Sequence, residues 1–321
     1  MSFLIGKGDF GHVFRDGNFV WKLVAPESVE PELKIAGVLS VVDPANKYTV
    51  YLLPESAREA TKEEREIARQ NNYLYKAPYA GVELFEVISS CINESTASKI
   101  FPEVMYIFAD LAACVKLLHE HHIYHMDLTN TNVTIGNKGE TRIIDFGRSI
   151  DTKNWDIKAI KNALRLSHPL WPAEIKYMFD DKWERAAFCD GTTDAQLKYL
   201  WPDMYQPELY KKEGDQPFMK ILTELREKVF ELSIDTVLSA LDVYVLGKTM
   251  YEIYLYIRQF SQKRTKNDQF VNLIRDMLHP DLLQRPNIHQ VHERLTRNVL
   301  PFVHRTLPST LTYMLEKNPS I

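Results

Sequence analysis

Short runs rich in aromatic and β-branched residues open the chain: SFLIG, then GHVFRDGNFVWKLVA, with Asp16-Gly17 as a tight-turn signal inside the second run. Three antiparallel strands are expected between Ser2 and Ala25. From Glu30 to Val42 the apolar positions Leu33, Ile35, Ala36, Val38 and Leu39 form a helical stripe, and Asp43-Pro44 ends it. A short strand, KYTVYLL (Lys47–Leu53), is expected next. Ser56 to Asn72 is highly charged with few large apolar side chains, which predicts an exposed helix or loop inserted between strands.

After Tyr79 the pattern changes to long helical periods. Phe101–His122 and Thr236–Arg258 predict long helices, and Phe270–Leu278 and Ile288–Leu295 shorter ones. A small β-rich lobe therefore precedes a larger helical one, an α+β chain with lobes over 1–78 and 79–321. The irregular region Ile175–Val237 is rich in Trp, Tyr, Asp and Pro in its first half and helical from about Phe218 to Leu232. It reads as a folded insert, because its aromatic content is unlike that of a linker.

Composition narrows the picture. The 321 residues are 45% hydrophobic, enough for a sizeable core. The formal charge of -4 comes from interspersed acidic and basic residues, so no basic stripe points to nucleic acid. Cys91, Cys114 and Cys189 are widely separated, which argues for reduced thiols over disulfides or zinc. No signal-peptide pattern opens the chain, and no apolar run approaches the ~18 residues of a membrane span. A soluble protein of a reducing compartment, without membrane or nucleic-acid partners, is expected.

The first candidate for chemistry is the segment Gly6, Lys7, Gly8, Asp9, Phe10, Gly11, His12 and Val13, with glycines at G-x-G-x-x-G spacing. Strand and hairpin signals follow it, so these glycines belong to a β-hairpin and let its backbone approach phosphate oxygens without a Cβ clash. Lys22, in VWKLV on the next strand, can reach phosphates if a carboxylate fixes it; Glu32 is the first choice of partner and Glu30 the second. The strongest stretch is IYHMDLTNTNVTI followed by RIIDFG. There Asp127 can take a hydroxyl proton, while Asn132 and Asp145 offer magnesium the sparse oxygen ligands it prefers beside phosphates. The histidines His119, His121 and His122 read as residues that cap or flank a helix.

These segments resemble the eukaryotic protein kinase family. HMDLTNTN is similar to its catalytic loop, and Asp145-Phe146-Gly147 is its magnesium motif unchanged. WPAE with Glu174 resembles the A-P-E segment, DVYVLGKTMYE with Asp242 the helix whose aspartate supports the catalytic loop, and Arg285 in LLQRP the partner of the A-P-E glutamate. The resemblance implies a bilobal fold and an ATP-dependent protein kinase using Mg2+, with Mn2+ as an alternative. It implies that Ile5, Val13 and Val20 cover adenine, that the lobes join near Tyr75–Glu83, and that Glu83 reaches ribose. Ser167, seven residues before Glu174, favours serine/threonine acceptors on a protein substrate.

Three positions depart from the family pattern. Met126 replaces the arginine that reads a phosphorylated activation segment, Thr129 replaces a lysine that neutralises the transferred phosphoryl group, and Thr134 replaces an apolar residue beneath adenine. A basic residue from elsewhere is one substitute for the missing lysine. The E-L-K-I…V-V-D-P-A-N-K-Y-T-V-Y run and YAGVEL resemble divergent kinases of large DNA viruses, which implies host cytoplasm or virion as the location. The insert at 175–237, beside the expected peptide-docking side, is a candidate for substrate or partner selection. Two other readings fit parts of the pattern: a pseudokinase scaffold, and a kinase-like phosphotransferase for small molecules.

Overall fold

The computed structural model describes residues 3–8, 11–24, 26–68, 73–156, 158–160, 171–172, 232–261, 268–279 and 281–302. The chain opens with strands β1 (Phe3–Gly8), β2 (Gly11–Asp16) and β3 (Phe19–Val24), antiparallel as expected. The β2–β3 turn is centred on Gly17 and Asn18, with Gly17 at φ 62°, a conformation open to glycine at little cost. Strand β4 (Leu53–Glu59) and β5 (Tyr73–Pro78) complete a five-stranded sheet of order β1-β2-β3-β5-β4.

Between β3 and β4 runs helix α1 (Pro26–Val42), which begins four residues before the predicted start. Glu30-Pro31 looks like a boundary in sequence, because proline disfavours a helical residue before it. Here the helix continues through Pro31. One face of α1, with Ile35, Ala36 and Leu39, joins the large core of the helical half, while Val29 and Leu33 pack on a small cluster under the sheet.

Two expectations fail between Asp43 and Asn72. KYTVYLL is not a strand up to Leu53: Asp43 accepts hydrogen bonds from the amides of Lys47, Tyr48 and Thr49, which curls the segment. Only Thr49 forms a bridge, parallel to Ile143 of the later half. The charged stretch from Ser56 is also not wholly inserted: its first residues complete β4, and helix α2 (Lys62–Ala68) follows. β4 buries little on either face, so alternation gave no signal there.

The helical half begins with β6 (Val82–Glu83), α3 (Leu84–Cys91) and α4 (Ala97–Glu120). Short pairs then frame the loops that matter: β7 (Ile123–Tyr124) with β10 (Ile150–Asp151), and β8 (Val133–Ile135) between β6 and β9 (Thr141–Ile143). Helices α5 (Ile234–Phe260), α6 (Asp268–Met277) and α7 (Ile288–Arg294) match the predicted long and short helices within a few residues. Ser233 caps α5 and Asn287-Gln290 closes a capping box on α7. One buried core runs through this half, with Phe108 stacked on Phe270 at its centre. Mixed α+β architecture, a β-rich first part and a helical second, is as the pattern predicts. Residues 175–231 of the insert, with Cys189 and the predicted helical stretch from Phe218 up to residue 231, lie outside the described residues, and the insert's last residues, 234–237, open α5.

Candidate active site

Alternation along β3 sets the site's first cation. Trp21 and Leu23 turn to a small cluster with Phe14, Ala60 and Leu74, so Val20 and Lys22 face the opposite side, toward the cleft. Glu32 shares its helix face with Ile35, Ala36 and Leu39, and is therefore carried inward; it is 4% exposed. Lys22 Nζ donates to Glu32 Oε1 and Oε2 at 2.9 and 3.0 Å, and to Asp145 Oδ1 at 2.7 Å. Glu30, the second choice, instead pairs at the surface with Lys34 at 2.8 Å.

Burial works against the ammonium form of Lys22, but the fields of Asp145 and Glu32 outweigh it and hold the group above the ordinary lysine value. Glu32 is pushed up by burial and by the second carboxylate sharing that ammonium. For Asp145 burial is again opposed, here by Lys22 and the Gly147 amide, and its carboxyl stays below the usual range. Asp145 also sits at φ 63°, a rare backbone conformation for a non-glycine residue.

Asp127 and Asn132 stand on the loop between β7 and β8. The loop is hung on Asp242 of α5, whose carboxylate is fully buried. Its Oδ2 accepts from the His125 amide and its Oδ1 from the Met126 amide, both at 2.7 Å, and His119 Nε2 lies 3.0 Å from Oδ2. Met126 is at φ 65° and entirely buried, so a charged residue has been replaced by a core one; its carbonyl accepts from Trp171 Nε1 at 2.6 Å. Thr249 Oγ1 holds the Leu128 carbonyl at 2.6 Å, and Asn132 Nδ2 donates to the Asp127 carbonyl at 2.8 Å.

His125 ties this loop to the strand before Asp145. Its Nδ1 faces the Asp127 amide at 3.3 Å and its Nε2 faces the Ile144 carbonyl at 3.0 Å. The neutral tautomer with the proton on Nε2 satisfies both. The Ile144 amide returns a bond to the Asn132 carbonyl at 3.0 Å. The three polar residues of the two motifs are thus fixed relative to one another through backbone.

Beside Lys22 lies a cavity of about 320 Å³ under the sheet, of the size that holds a small ligand. Val13, Val20, Glu83 and Thr134 are among the residues that line it. Glu83 has its carboxyl raised by burial and by Glu86. Tyr51, Leu52 and Tyr79 also line it and carry no motif signal; Arg15 lies over the Tyr79 ring at 3.8 Å. His12 alternates away from Val13 and is not in the lining. Ile5, Gly6, Lys7, Gly8 and Gly11 lie on β1 and β2, whereas Asp9 and Phe10 lie outside the described residues.

Arg285 is 7% exposed; its Nε donates to the His279 carbonyl at 2.7 Å and its Nη1 to the Ala240 carbonyl at 3.2 Å. Its expected partner Glu174, like Ser167, lies outside the described residues. No group of three His, Cys, Asp or Glu side chains that could hold a metal occurs among the described residues; His119 meets Asp242 and His122 meets Asp235. Cys91 and Cys114 are buried free thiols. Sequence reasoning missed Arg148, whose Nε lies 4.0 Å from Asp127 Oδ2.

Residues 3–160 match the protein kinase domain family model. The serine/threonine-protein kinase ppk6 of Schizosaccharomyces pombe is 33% identical over 110 residues, 34% of this chain and 14% of that protein. The serine/threonine-protein kinase CLA4 of Eremothecium gossypii is 30% identical over 95 residues, 29% and 12% of the two chains. The dual specificity protein kinase zak2 of Dictyostelium discoideum is 35% identical over 79 residues, 23% and 12%. The matched segments thus span only 12–14% of these relatives' length. With its antiparallel sheet, helical second half and the two motif loops joined at one cleft, the chain carries a eukaryotic-type protein kinase domain, matched over residues 3–160.

Proposed function

We propose that this protein kinase transfers the γ-phosphoryl group of ATP to serine and threonine hydroxyls of a protein substrate. The observation that carries the reading is Lys22, held at once by Glu32 and by Asp145 at the wall of the cleft. In this reading the ammonium orients the α- and β-phosphates, and Asp127 takes the proton of the acceptor hydroxyl as its oxygen bonds to phosphorus and ADP leaves. The glycine-bearing β1–β2 hairpin covers the phosphates, Val13 and Val20 cover adenine, and Glu83 meets ribose.

The donors fit magnesium. Both hydrogen bonds to Asp145 fall on Oδ1, which leaves Oδ2, and Asn132 donates only through Nδ2, which leaves its carbonyl oxygen. One carboxylate and one amide oxygen suit an ion that keeps water and phosphate oxygens as its other ligands, and manganese suits the same set. The ion would supply charge neutralisation between the phosphates.

Serine/threonine acceptors are supported by Ser167 and by the names of two relatives, both serine/threonine-protein kinases; zak2 is named dual specificity. The Glu174–Arg285 pair is assigned a structural role. We set the lobe boundary at Pro78/Tyr79, which the end of β5 supports, and assign the insert at 175–237 to substrate or partner choice. The buried thiols support a reducing compartment such as cytoplasm, and among the described residues no helix is long and apolar enough to cross a membrane.

The test is transfer from γ-labelled ATP with magnesium to a generic basic protein, wild type against Asp127→Asn, with the phosphoamino acids resolved. Wild type should label serine and threonine, and the variant should lose about 10²-fold or more in rate. Equal rates would remove Asp127 as the base, and phosphotyrosine alone would remove the acceptor assignment.

A further inference from the structure

Glu32, Glu83, Glu86 and Asp145 line the cleft, and Asp127 stands on the loop that His125 ties to the strand before Asp145, where the reaction brings in more negative charge. Of the two cations in that lining, Arg15 lies over the Tyr79 ring and Lys22 is already bound to Glu32 and Asp145, at the phosphate end. At the acceptor end the position two residues beyond Asp127 holds Thr129, whose hydroxyl meets that of Thr131 at 2.8 Å and brings no charge. What lies there instead is Arg148, directly after the Asp145-Phe146-Gly147 turn.

The placement of Arg148 is built rather than incidental. Its side chain and that of Asp127 are each 14% exposed, and Nε lies 4.0 Å from Asp127 Oδ2. A guanidinium brought this far from water needs strong compensation, which makes an accidental position here costly. The backbone on both sides is fixed: the Gly147 amide donates to Asp145 at 3.2 Å, and the Ser149 hydroxyl donates to the His125 carbonyl at 3.3 Å. The same turn that sets Asp145 therefore sets the arginine beside the base. A guanidinium fork also suits phosphoryl oxygens better than a point charge does.

We propose that Arg148 is a further catalytic residue, supplying at the acceptor end the positive charge that the transferred phosphoryl group requires. The inference rests on the kinase reading. In the step, the acceptor oxygen forms its bond to the γ-phosphorus while the bond to the β–γ bridging oxygen breaks and its electron pair leaves on ADP. The acceptor proton goes to Asp127. Arg148 gains and loses no proton, and acts on the charge spread over the phosphoryl oxygens.

The experiment compares Arg148→Met, Arg148→Lys, Thr129→Lys with Arg148→Met, and Asp127→Asn against wild type, measuring kcat for transfer and, separately, ATP affinity by fluorescence titration. Expected are a kcat loss of about 10²-fold in Arg148→Met with ATP affinity within about threefold, a smaller loss in Arg148→Lys, and at least tenfold recovery in the double variant. A purely structural arginine would not be rescued by a lysine on the other loop. If Arg148→Met fails to fold, an Arg148→Lys variant with wild-type kcat and no response to Thr129→Lys overturns the proposal. Wild-type kcat in Arg148→Met overturns it while a dead Asp127→Asn leaves the kinase reading standing. Equal activity of Asp127→Asn and wild type overturns both.

Discussion

The two sides of the cleft fix their functional charges by different means. Among the described residues, the sheet itself packs on two small clusters, and Lys22 is held by other side chains, Glu32 and Asp145. On the helical side one core extends from Ile35 to Val299, and Asp127 is placed by backbone amides that Asp242 receives. An ion pair between side chains can be remade when a nucleotide and its ion compete for the same charges. Amides bonded to a buried carboxylate have no such alternative partner. The difference assigns adjustment to the sheet side and permanence to the loop that carries the base.

The comparison breaks most severely at Asp242. Asp242→Asn keeps the volume but turns one acceptor into a donor facing an amide, so a buried N–H loses its partner. A loss of about 3 kcal/mol of stability is expected, from the hydrogen bonds to a charged group and the unsatisfied donor. Phosphate transfer should fall with it, because the His125–Met126 turn loosens. Urea denaturation of the purified variant measures this, and a change under about 0.5 kcal/mol would show that the amides do not depend on the carboxylate.

Lys22→Met separates function from stability on the other side. Transfer should fall about 10²-fold or more, since the phosphates lose their positioned charge. Stability should fall by less than at Asp242, about 2 kcal/mol near pH 8, because Asp145 is 29% exposed and water screens it. Glu32 and Asp145 are then left facing each other without a cation, and their carboxyls rise. A carboxyl raised in the folded state binds more protons there than when unfolded, so the variant gains stability relative to wild type as pH drops from 8 to 5. Thermal midpoints at the two pH values test the sign, and an unchanged difference would mean the pair is solvated.

How much of this was legible follows from how far each contact reaches along the chain. Asp127, Asn132 and Asp145 lie in short motifs whose spacing suggests their grouping, whereas Lys22 depends on its neighbours and on a carboxylate partner, for which Glu32 is the first choice and Glu30 the second. The segment after Asp43 misled because its hydrogen bonds go to a side chain, and apolar alternation reports only on faces, not on who accepts the amides. α1 began early because Pro31 is tolerated where its neighbours pack on two clusters at once. Arg148 had no signal: one arginine after a glycine has no period, and its place beside Asp127 arises only when β7 and β10 pair. Tyr51 and Tyr79 reached the cavity in the same way, through the sheet and the crossing between the two halves.

The smallest effect sharpens the contrast from within the sheet side. Thr61 and Glu64 form a capping box at the start of α2: the Glu64 amide donates to Thr61 Oγ1 at 3.3 Å and the Thr61 amide to Glu64 Oε2 at 2.8 Å. Arg58 closes the arrangement with two bonds to the same carboxylate, at 2.9 and 2.8 Å. The Arg58 bonds, with the Thr61 amide, bring the Glu64 carboxyl down from 4.5 to about 2. A carboxyl depressed in the folded state stabilises above its unfolded value and loses that contribution as pH falls through the folded one. Wild type should therefore exceed Glu64→Gln by a small constant margin from pH 5 to 8, and the margin should shrink between about pH 4.5 and 2. Phosphate transfer at pH 7 should be unaltered, because the Glu64 carboxylate is bonded to Arg58 and Thr61 and does not line the cleft. A margin that persists at pH 2.5 would mean that the glutamine loses shape in the cap rather than charge.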